Sequence, residues 1–366
     1  MRILFFIESL RSGGKERRLL ELVHYLEHHT DHEMLLVLTE ENIHYSYVHE
    51  LRTNIKILKR KGLKKDPRLF VEFYRLCSEF KPDVIHTWGS MLAFYSLPAV
   101  IFKKIPHINS HIADAPLVIN KNDFHYFITY LGFKFSTFIL SNTYAGLKAY
   151  NLSGNKCRVI YNGIRLERFT DLPEKKSVRI QFNIRTTFAV IMVASFSLNK
   201  NYGQFLDIAE YLLPIRNDIT FVSVGGPQGS ITEYEKIIKR AGKLENVLLC
   251  GRIDCVEALI NACDVGVLFS YSEGLSNSII EYMACGKPVI ASDTGGTKEI
   301  VVNHQTGFLI TDETTEVIAG MITDLLDHEG KRKTLGENAR LLIQKNFTAD
   351  RMGNDFSQLY SEVVSG

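Results

Sequence analysis

Residues 265–292 read VGVLFSYSEGLSNSIIEYMACGKPVIAS and predict a strand, a loop, a helix and a second strand. The apolar segments at the two ends of this stretch are short enough for buried strands. Between them, Gly274, Ser276 and Asn277 favour a helix start, whose unpaired N–H groups are suited to binding anions. Short apolar strands that alternate with helices predict a parallel sheet that helices cover on both faces.

The same alternation runs through both halves of the 366-residue chain. Further strands are predicted at 2–8, 34–39, 83–87, 138–141, 158–161, 188–194, 219–224 and 247–249. A polar stretch at 165–186 separates the two series of strands and predicts an interdomain linker. Apolar residues at helical spacing over 349–364 predict a last helix. We therefore expect two doubly wound α/β domains at 1–165 and 166–348, with a C-terminal helix at 349–366 that packs back on the first domain.

Length and composition limit the class of protein. A single core rarely grows beyond about 250–300 residues, so a chain of 366 residues favours two domains. The chain is 45% hydrophobic and 23% charged, which excludes a disordered, collagen-like or disulfide-rich protein. No apolar run reaches the roughly 18–20 residues of a membrane-spanning helix, and the first residues lack the pattern of a secretory signal. Six cysteines without a Cys-x-x-Cys pair argue against a zinc ribbon and favour a reducing cytoplasm.

Charge is unevenly distributed along the chain, whose net charge is +2. Residues 1–165 contain 23 Lys and Arg against 15 Asp and Glu, whereas the remainder contains 20 against 26. A basic first half suits an anionic lipid surface, a nucleic acid or a phosphate-rich substrate. Because no nucleic-acid recognition motif accompanies the charge, we expect no nucleic-acid partner.

Two carboxylates in the opening stretch carry the strongest functional signal. Seven residues stand between Glu273 and Glu281. Either glutamate alone is typical of a solvated or helix-capping residue, but the whole string resembles the E-x7-E signature of retaining glycosyltransferases of family 4. Members of this family have the GT-B fold, in which two Rossmann-like domains face each other across a cleft. The resemblance extends over essentially the full chain, through weaker motifs in the family's order at Gly13-Gly14-Lys15-Glu16, Tyr161-Asn162-Gly163-Ile164, Gly225-Gly226, Gly251-Arg252 and Gly295-Gly296.

The resemblance implies roles for individual residues in binding a nucleotide-sugar donor. Glu281 is implied to hold the ribose hydroxyls, and Glu273 the hydroxyls of the donor sugar. Lys200 matches a phosphate-binding lysine that stabilises charge on the leaving diphosphate, and Gly14 matches a glycine that approaches the phosphates. Without the resemblance, these two are typical of a surface lysine and a tight turn. The other implied donor-binding positions are Gly274, Leu275, Ser276 and Asn277 at the diphosphate and Gly251 and Arg252 at the nucleobase.

A second candidate for contact with the donor sugar is a histidine. His111 lies in the strand-like run IPHINSHI at 105–112, where family members carry a histidine that contacts the donor sugar. His107 and His86 are rival candidates nearby, and a lone histidine is often a hydrogen-bonded core residue. The residues expected to act in catalysis are therefore Glu273, Lys200 and His111.

The sequence departs from the family at the phosphate site. Many members carry an arginine shortly before the lysine that Lys200 matches, whereas this chain has Ser195 and Ser197 there. Arg165 and Cys255 stand where aspartate is common. The family retains the anomeric configuration, which implies a same-face displacement in which the departing diphosphate takes the acceptor proton. No Asp-x-Asp motif stands at a matching place, so we expect no obligatory metal or other cofactor, and the nucleotide sugar is the co-substrate.

The resemblance predicts a hexosyl- or N-acetylhexosaminyl-type glycosyltransferase of surface polysaccharide biosynthesis. The donor would be a UDP- or GDP-linked sugar, and the acceptor a glycan or a lipid-linked glycan. A GT-B-fold nucleotide-sugar epimerase is an alternative that explains the fold but not the paired glutamates. A non-catalytic module that binds a nucleotide sugar is another alternative, against which the intact Glu273, Glu281 and Lys200 argue.

Two segments of the basic half bear on membrane attachment. Residues 56–68, KILKRKGLKKDPR, hold seven Lys or Arg, and residues 124–138 hold seven aromatic residues in fifteen. A solvated loop and a core helix rich in Phe are the simpler interpretations of these segments. Our hypothesis is that the cytoplasmic protein attaches peripherally to the inner leaflet through them, with a lipid-linked glycan as acceptor.

Overall fold

The computed structural model describes residues 1–11, 13–60, 62, 65–227, 231–253 and 255–365. The chain divides into two compact units, one formed by Met1–Gly163 with Ala349–Gly366 and the other by Ile164–Thr348. Each unit contains a parallel sheet with helices on its faces. Among the described residues, no helix combines the length and the hydrophobicity that crossing a bilayer requires.

The first unit contains a seven-stranded parallel sheet in the order β3-β2-β1-β4-β5-β6-β7. Its strands are β1 (Arg2–Ile7), β2 (Glu33–Leu38), β3 (Asn54–Ile57), β4 (Val84–Thr87), β5 (His107–Ile112), β6 (Phe138–Ser141) and β7 (Cys157–Val159). Its helices are α1 (Gly14–His29), α2 (Arg68–Phe80), α3 (Ser90–Phe102), α4 (Phe124–Lys134) and α5 (Tyr144–Ala149).

The second unit contains a six-stranded parallel sheet in the order β10-β9-β8-β11-β12-β13. Its strands are β8 (Phe188–Val193), β9 (Ile219–Val224), β10 (Val247–Leu249), β11 (Val265–Leu268), β12 (Val289–Ser292) and β13 (Gly307–Ile310). Its helices are α6 (Lys175–Gln181), α7 (Tyr202–Leu212), α8 (Ile231–Ala241), α9 (Val256–Ala262), α10 (Asn277–Ala284), α11 (Thr315–Asp327) and α12 (Glu329–Asn346).

The C-terminal helix α13, Ala349–Ser365, returns to the first unit and packs on α1. The Tyr25 hydroxyl donates to Asn354 Oδ1 at 2.8 Å. Gly353 leaves room for the Tyr25 ring, because a Cβ at this glycine would lie 2.1 Å from Tyr25 Cδ1. The Tyr360 hydroxyl lies 2.7 Å from His86 Nδ1 and ties the helix to β4.

Strand β1 shows why the first sheet is buried on both faces. Ile3, Phe5 and Ile7 point to one face and pack with residues of α1 and α13. Leu4 and Phe6 point to the other face and pack with residues of α2 and α3. All five side chains are fully buried, and each contributes about 1.5–3 kcal/mol through the hydrophobic effect. A continuous apolar run is therefore what this central strand requires.

The prediction of a linker at 165–186 is wrong. This segment belongs to the second unit, where it forms a 3-10 turn over Leu166–Phe169 and then helix α6. Val178 on α6 is buried. The Arg179 guanidinium donates to the carbonyl oxygens of Ala262, at 2.9 Å, and of Thr186, at 2.6 Å. Two of the polar side chains that suggested a solvated linker, Arg168 and Arg179, instead bind carboxylates and backbone carbonyls of the second unit.

Candidate functional site

Three loops of the second unit form a connected rim at the carboxyl ends of its strands, where parallel sheets bind ligands. The loop after β8 is joined to the loop after β9 by a hydrogen bond from Phe196 N to Gly226 O, at 2.9 Å. The loop after β9 is joined to the loop after β10 by one from Gly225 N to Gly251 O, at 2.7 Å. This rim brings together the chain around Lys200 and the chain around Gly251.

The loop after β11 joins the same rim. Asn201 N donates to Phe269 O at 2.9 Å, and Tyr271 N donates to Asn199 O at 3.0 Å. The Asn199 side-chain amide donates to Ser272 O at 2.7 Å. These bonds hold the loop that contains Lys200 against the loop that contains Glu273.

Lys200 and Glu273 form an ion pair through Lys200 Nζ and Glu273 Oε1. The Ser270 hydroxyl donates to the same carboxylate oxygen. Glu273 and Ser270 are both buried, and the Lys200 side chain is 17% exposed. The structure therefore places the lysine and the carboxylate predicted for the donor in direct contact. Ser270 is a neighbour that sequence reasoning missed, because a single serine after a strand carries no signal of its own.

Helix α10 begins directly after this loop. Asn277 is its first residue and Ser276 its N-cap, so the first N–H groups of the helix lie beside the buried Leu275 and Ser276. The start of α10 is anchored to the end of β8: the Ser278 hydroxyl donates to Val193 O at 2.6 Å. Farther along α10, the Tyr282 hydroxyl accepts from Val193 N at 2.5 Å. A helix start fixed at the carboxyl end of a sheet is a site for an anionic group.

Glu281 lies on α10 and is 2% exposed. Arg168, from the 3-10 turn that follows the unit boundary, donates through Nη2 to Glu281 Oε1 at 3.1 Å. The same nitrogen also donates to Glu257 Oε1, which comes from the first turn of α9. Sequence reasoning missed both Arg168 and Glu257. An arginine in a polar stretch suggests solvent exposure, and a glutamate in the first turn of a helix suggests a cap.

Two positions at the edge of the rim favour glycine, one because of its backbone conformation and the other because of limited space. Gly251 adopts a φ of +65°, which favours glycine over other residues. Arg252 lies across Gly226, since a Cβ at Gly226 would stand 2.5 Å from Arg252 Nε. Because Gly226 has no side chain, the Arg252 side chain can lie against its backbone.

In the first unit, His111 is distinguished from its rivals by its hydrogen bonding. Both ring nitrogens of His86 are bonded, to Tyr360 and Ser110, and both of His107 are bonded, to Thr87 and Ser136. His111 Nε2 is shielded from solvent and has no hydrogen-bond partner among the residues that the structure describes. His86 and His107 are thus satisfied core residues, whereas His111 has a ring nitrogen to offer a ligand.

The environment of His111 keeps its ring neutral. Burial, followed by the nearby charges of Lys15 and His125, lowers the pKa of His111 to about 3. The ring packs near those of Phe133, at 6.2 Å between centroids, and Tyr150, at 5.9 Å. At neutral pH the histidine can exchange hydrogen bonds with a sugar hydroxyl but carries no charge.

Gly13 and Gly14 form the start of α1, with Gly13 as the N-cap. The Tyr45 hydroxyl accepts from Gly13 N at 3.1 Å and donates to Gly13 O at 3.0 Å. Glu16 Oε2 occupies the space where a Cβ of Gly13 would stand, at 2.2 Å. Tyr45 holds this loop from 32 residues away, and no local pattern in the sequence indicated that contact.

Within the described ranges, no group of three or more His, Cys, Asp or Glu residues is placed to hold a metal ion.

Both units match known protein families. Residues 12–168 match the family described as Glycosyltransferase Family 4, and residues 174–342 match the family described as Glycosyl transferases group 1. The crystal structure of Anabaena HepE in complex with UDP and glucose has a TM-score of 0.86 to this chain at 20% identity, and the match covers 99% of each chain. A likeness at this identity concerns the fold, and the predicted GT-B fold is confirmed.

Two relatives from Campylobacter jejuni have names that describe their reactions. N,N'-diacetylbacillosaminyl-diphospho-undecaprenol alpha-1,3-N-acetylgalactosaminyltransferase is 30% identical over 245 residues, which are 64% of this chain and 62% of the relative. N-acetylgalactosamine-N,N'-diacetylbacillosaminyl-diphospho-undecaprenol 4-alpha-N-acetylgalactosaminyltransferase is 26% identical over 354 residues, 92% of this chain and 93% of the relative. The match spans only about half of some other relatives, such as 53% of an uncharacterised glycosyltransferase of Methanocaldococcus jannaschii.

Proposed function

Because this chain belongs to the family 4, group 1 glycosyltransferases, we propose that it transfers a sugar from a nucleotide-sugar donor to a glycan acceptor. The observation that carries the proposal is the ion pair of Lys200 with Glu273 in the loop before α10, the helix on which Glu281 lies. One cation, one helix start and two carboxylates match the parts of a nucleotide sugar. Phosphates require positive charge, whereas ribose and sugar hydroxyls require acceptors.

The donor is proposed to lie along the rim of the second unit. Its diphosphate contacts Lys200 and the main-chain N–H groups from Gly274 to Asn277. Its ribose hydroxyls donate to Glu281, and its sugar hydroxyls donate to Glu273. The nucleobase meets the main chain at Gly251 and Arg252. UDP is our first choice of nucleotide, since the structurally similar HepE was crystallised with it.

We propose that the reaction retains the anomeric configuration by same-face displacement. The bond between the anomeric carbon and the diphosphate oxygen breaks, and a bond from the acceptor oxygen forms on the same face. The acceptor proton passes to a diphosphate oxygen, so no protein base is needed. Lys200 stabilises the charge that grows on the leaving group, while Glu273 orients the sugar.

The proposed acceptor is a lipid-linked glycan, and its glycan chain belongs to a surface polysaccharide. The two C. jejuni relatives carry diphospho-undecaprenol in their names, so each acts on a saccharide attached to a lipid through a diphosphate. The first unit, which is the basic half of the chain, is the proposed acceptor-binding domain. An enzyme with such an acceptor works at a membrane surface.

Helix α4 offers the surface that would meet that membrane. Phe124, Phe127 and Tyr130 repeat every third residue on α4, and each is more than half exposed. Ile128 and Phe133, on the same helix, are buried. The expectation of a core helix is therefore wrong for the exposed face. An exposed row of aromatic side chains suits the interfacial region of a bilayer.

The basic segment 56–68 contributes less charge than its composition suggests. Four of its cations pair with carboxylates: Lys56 with Glu79, Lys59 with Glu41, Arg60 with Glu8, and Arg68 with Asp66. Lys65 lies over the Phe124 ring at 4.4 Å and extends the aromatic face of α4. Lys61 and Lys64 lie outside the described residues. We therefore assign membrane attachment chiefly to the aromatic face and not to the basic run.

The triple variant Phe124→Ser, Phe127→Ser and Tyr130→Ser should lose binding to vesicles. The wild type should float with vesicles that contain phosphatidylglycerol and should remain bound at high salt, because apolar contacts are not screened. The triple variant should stay at the bottom of the gradient. Tyr211→Ser, at an exposed position of α7, is the matched control and should float like the wild type. A wild type that never floats would favour an acceptor without a lipid.

A test of the reaction separates the proposed function from its alternatives. Thermal unfolding with a panel of UDP- and GDP-linked sugars identifies the donor, because a bound ligand raises the unfolding temperature. The selected donor should then release its nucleoside diphosphate only when an acceptor glycan is present, and mass spectrometry should find the extended glycan. Binding without release would indicate a non-catalytic module, and conversion of the donor to another sugar would indicate an epimerase.

Glu281→Ala should weaken binding of the nucleoside diphosphate by roughly 10- to 150-fold. Hydrogen bonds from the ribose to a charged acceptor contribute about 1.5–3 kcal/mol. The fold should tolerate the change, because Arg168 keeps its contact with Glu257. Calorimetric titration of the variant, beside the exposed-site control Glu337→Ala, measures the effect. An unchanged affinity would remove Glu281 from the ribose site.

A further inference from the structure

We infer that Arg168 is a positioning residue that fixes the nucleotide-binding carboxylate of Glu281, with Glu257 as its anchor. This inference rests on the proposed function. Arg168 Nη2 contacts Glu281 Oε1 at 3.1 Å and also bonds to Glu257 Oε1. The three side chains come from a 3-10 turn, α10 and α9, so they form one bridge between three separate elements.

Burial makes this bridge necessary for the charge of Glu281. The side chains of Glu281 and Glu257 are 2% and 8% exposed, and that of Arg168 is 17% exposed. Two carboxylates that share a buried site repel each other, and this repulsion is costly unless a cation contacts both. Arg168 is the cation that contacts both. It therefore offsets the repulsion between them and holds the Glu281 carboxylate in place as an acceptor for hydroxyl groups.

The position of Arg168 is itself fixed. Its guanidinium lies over the Phe169 ring at 5.5 Å, and the 3-10 turn packs against α9. Cys285, at the end of α10, donates through its Sγ to Glu257 O at 3.8 Å and ties α10 to α9. A guanidinium held in this way presents its donors in a rigid geometry, which an ammonium group cannot reproduce.

A carboxylate can accept an arginine and ribose hydroxyls together, because its two oxygens have about four lone-pair directions. Glu257 keeps Arg168 in place whether or not a nucleotide is bound. The arginine then sets the direction in which Glu281 meets the ribose. Arg168 would thus contribute to affinity only through the ribose hydroxyls and not through the base or the phosphates.

That restriction gives the inference a readout that a purely structural role would not change. The probes are UDP and 2',3'-dideoxy-UDP, which lacks the ribose hydroxyls, with the GDP pair as the alternative if the wild type prefers guanine. In the wild type, loss of the hydroxyls should weaken binding by about tenfold or more. In Arg168→Lys, UDP should bind about tenfold more weakly, whereas the dideoxy nucleotide should change by less than about twofold.

Two further variants complete the experiment. Glu257→Gln keeps a hydrogen-bond acceptor for Arg168 but removes the negative charge of residue 257. The preference for UDP over the dideoxy nucleotide should therefore fall by a smaller factor, about threefold. Arg179→Lys alters an arginine of similar exposure that binds carbonyl oxygens of the second unit, and it should leave the preference unchanged. Thermal unfolding of each variant confirms that the protein is folded. If Arg168→Lys does not fold, Glu257→Gln decides the question.

The outcomes separate this inference from the proposed function. If the wild type binds neither UDP nor GDP, the proposed function fails and the inference fails with it. If the wild type prefers the ribose hydroxyls and the Arg168 and Glu257 variants keep that preference, only the inference is overturned. An equal loss of affinity for both probes also overturns it, because such a loss indicates a structural role.

Discussion

Lys200→Ala is expected to lower turnover by about 10²- to 10³-fold, the usual effect of removing one group that stabilises charge in a transition state. Negative charge grows on the diphosphate as the bond to the sugar breaks. Lys200 is the candidate cation for that charge, because Ser195 and Ser197 offer none. Its ion pair with Glu273 holds the ammonium group at the rim of the second sheet before a donor arrives.

The effect of Lys200→Ala should be larger on kcat than on the affinity for the nucleoside diphosphate. A group that acts on developing charge contributes more in the transition state than in the ground state. Lys200→Arg keeps the charge and should recover part of the activity, whereas Lys345→Ala, at an exposed position of α12, should leave it unchanged. Wild-type turnover in Lys200→Ala would mean that another cation holds the phosphates, and Arg252 would then be the first to test.

Strands that contain an apolar run could be predicted from sequence, and two of the four edge strands could not. The strands of the second unit from β8 to β12 were predicted to within a few residues, because each contains an apolar run. The edge strands β3 and β13 were not predicted, whereas the edge strands β7 and β10 were. β3 reads NIKI, has only β2 as a neighbour and is largely exposed, so its strand conformation depends on pairing more than on apolar content.

Segments whose local pattern fits two environments were interpreted wrongly. The polar residues at 165–186 fit a solvated linker and also fit a turn whose arginines bind buried carboxylates and carbonyls. The aromatic residues of α4 fit a core helix, but the helix buries one face and exposes Phe124, Phe127 and Tyr130 on the other. Periodicity defines the faces of a helix, and only the tertiary structure decides which face is covered.

The candidate site was predictable where one stretch of sequence contains it. Glu273, Glu281 and the start of α10 lie within nine residues, so the motif places them on one loop and helix. Their partners come from distant parts of the chain. Arg168 contacts Glu281 across 113 residues, and Lys200 contacts Glu273 across 73. Contacts of this kind depend on the packing of the sheet, which leaves no local signal in the sequence.

Glu273→Gln is expected to lower turnover by about 10²-fold or more while nucleoside diphosphate affinity changes by less than about twofold. Glu273 is proposed to contact the donor sugar and not the nucleotide, so its charge matters when the sugar must be oriented for attack. Glutamine has the same shape and can still accept from Ser270, but it cannot pair with the Lys200 cation. The kinetic effect therefore reports on the charge of residue 273.

Two companion variants of Glu273→Gln distinguish its role in the site from a loss of fold. Ser270→Ala removes the hydroxyl that donates a hydrogen bond to Glu273 but leaves the charge of Glu273 in place. The turnover of this variant should therefore fall less, by about tenfold. Glu299→Gln changes a carboxylate in the 3-10 turn Thr297–Glu299, which follows β12, and this variant should retain most of the activity. Turnover is measured with the donor that the nucleotide-sugar panel selects and an acceptor glycan, and affinity for the nucleoside diphosphate is measured by calorimetry. Near-normal turnover in Glu273→Gln would exclude this carboxylate from sugar binding, because a buried group that orients the reacting sugar cannot lose its charge without a kinetic cost.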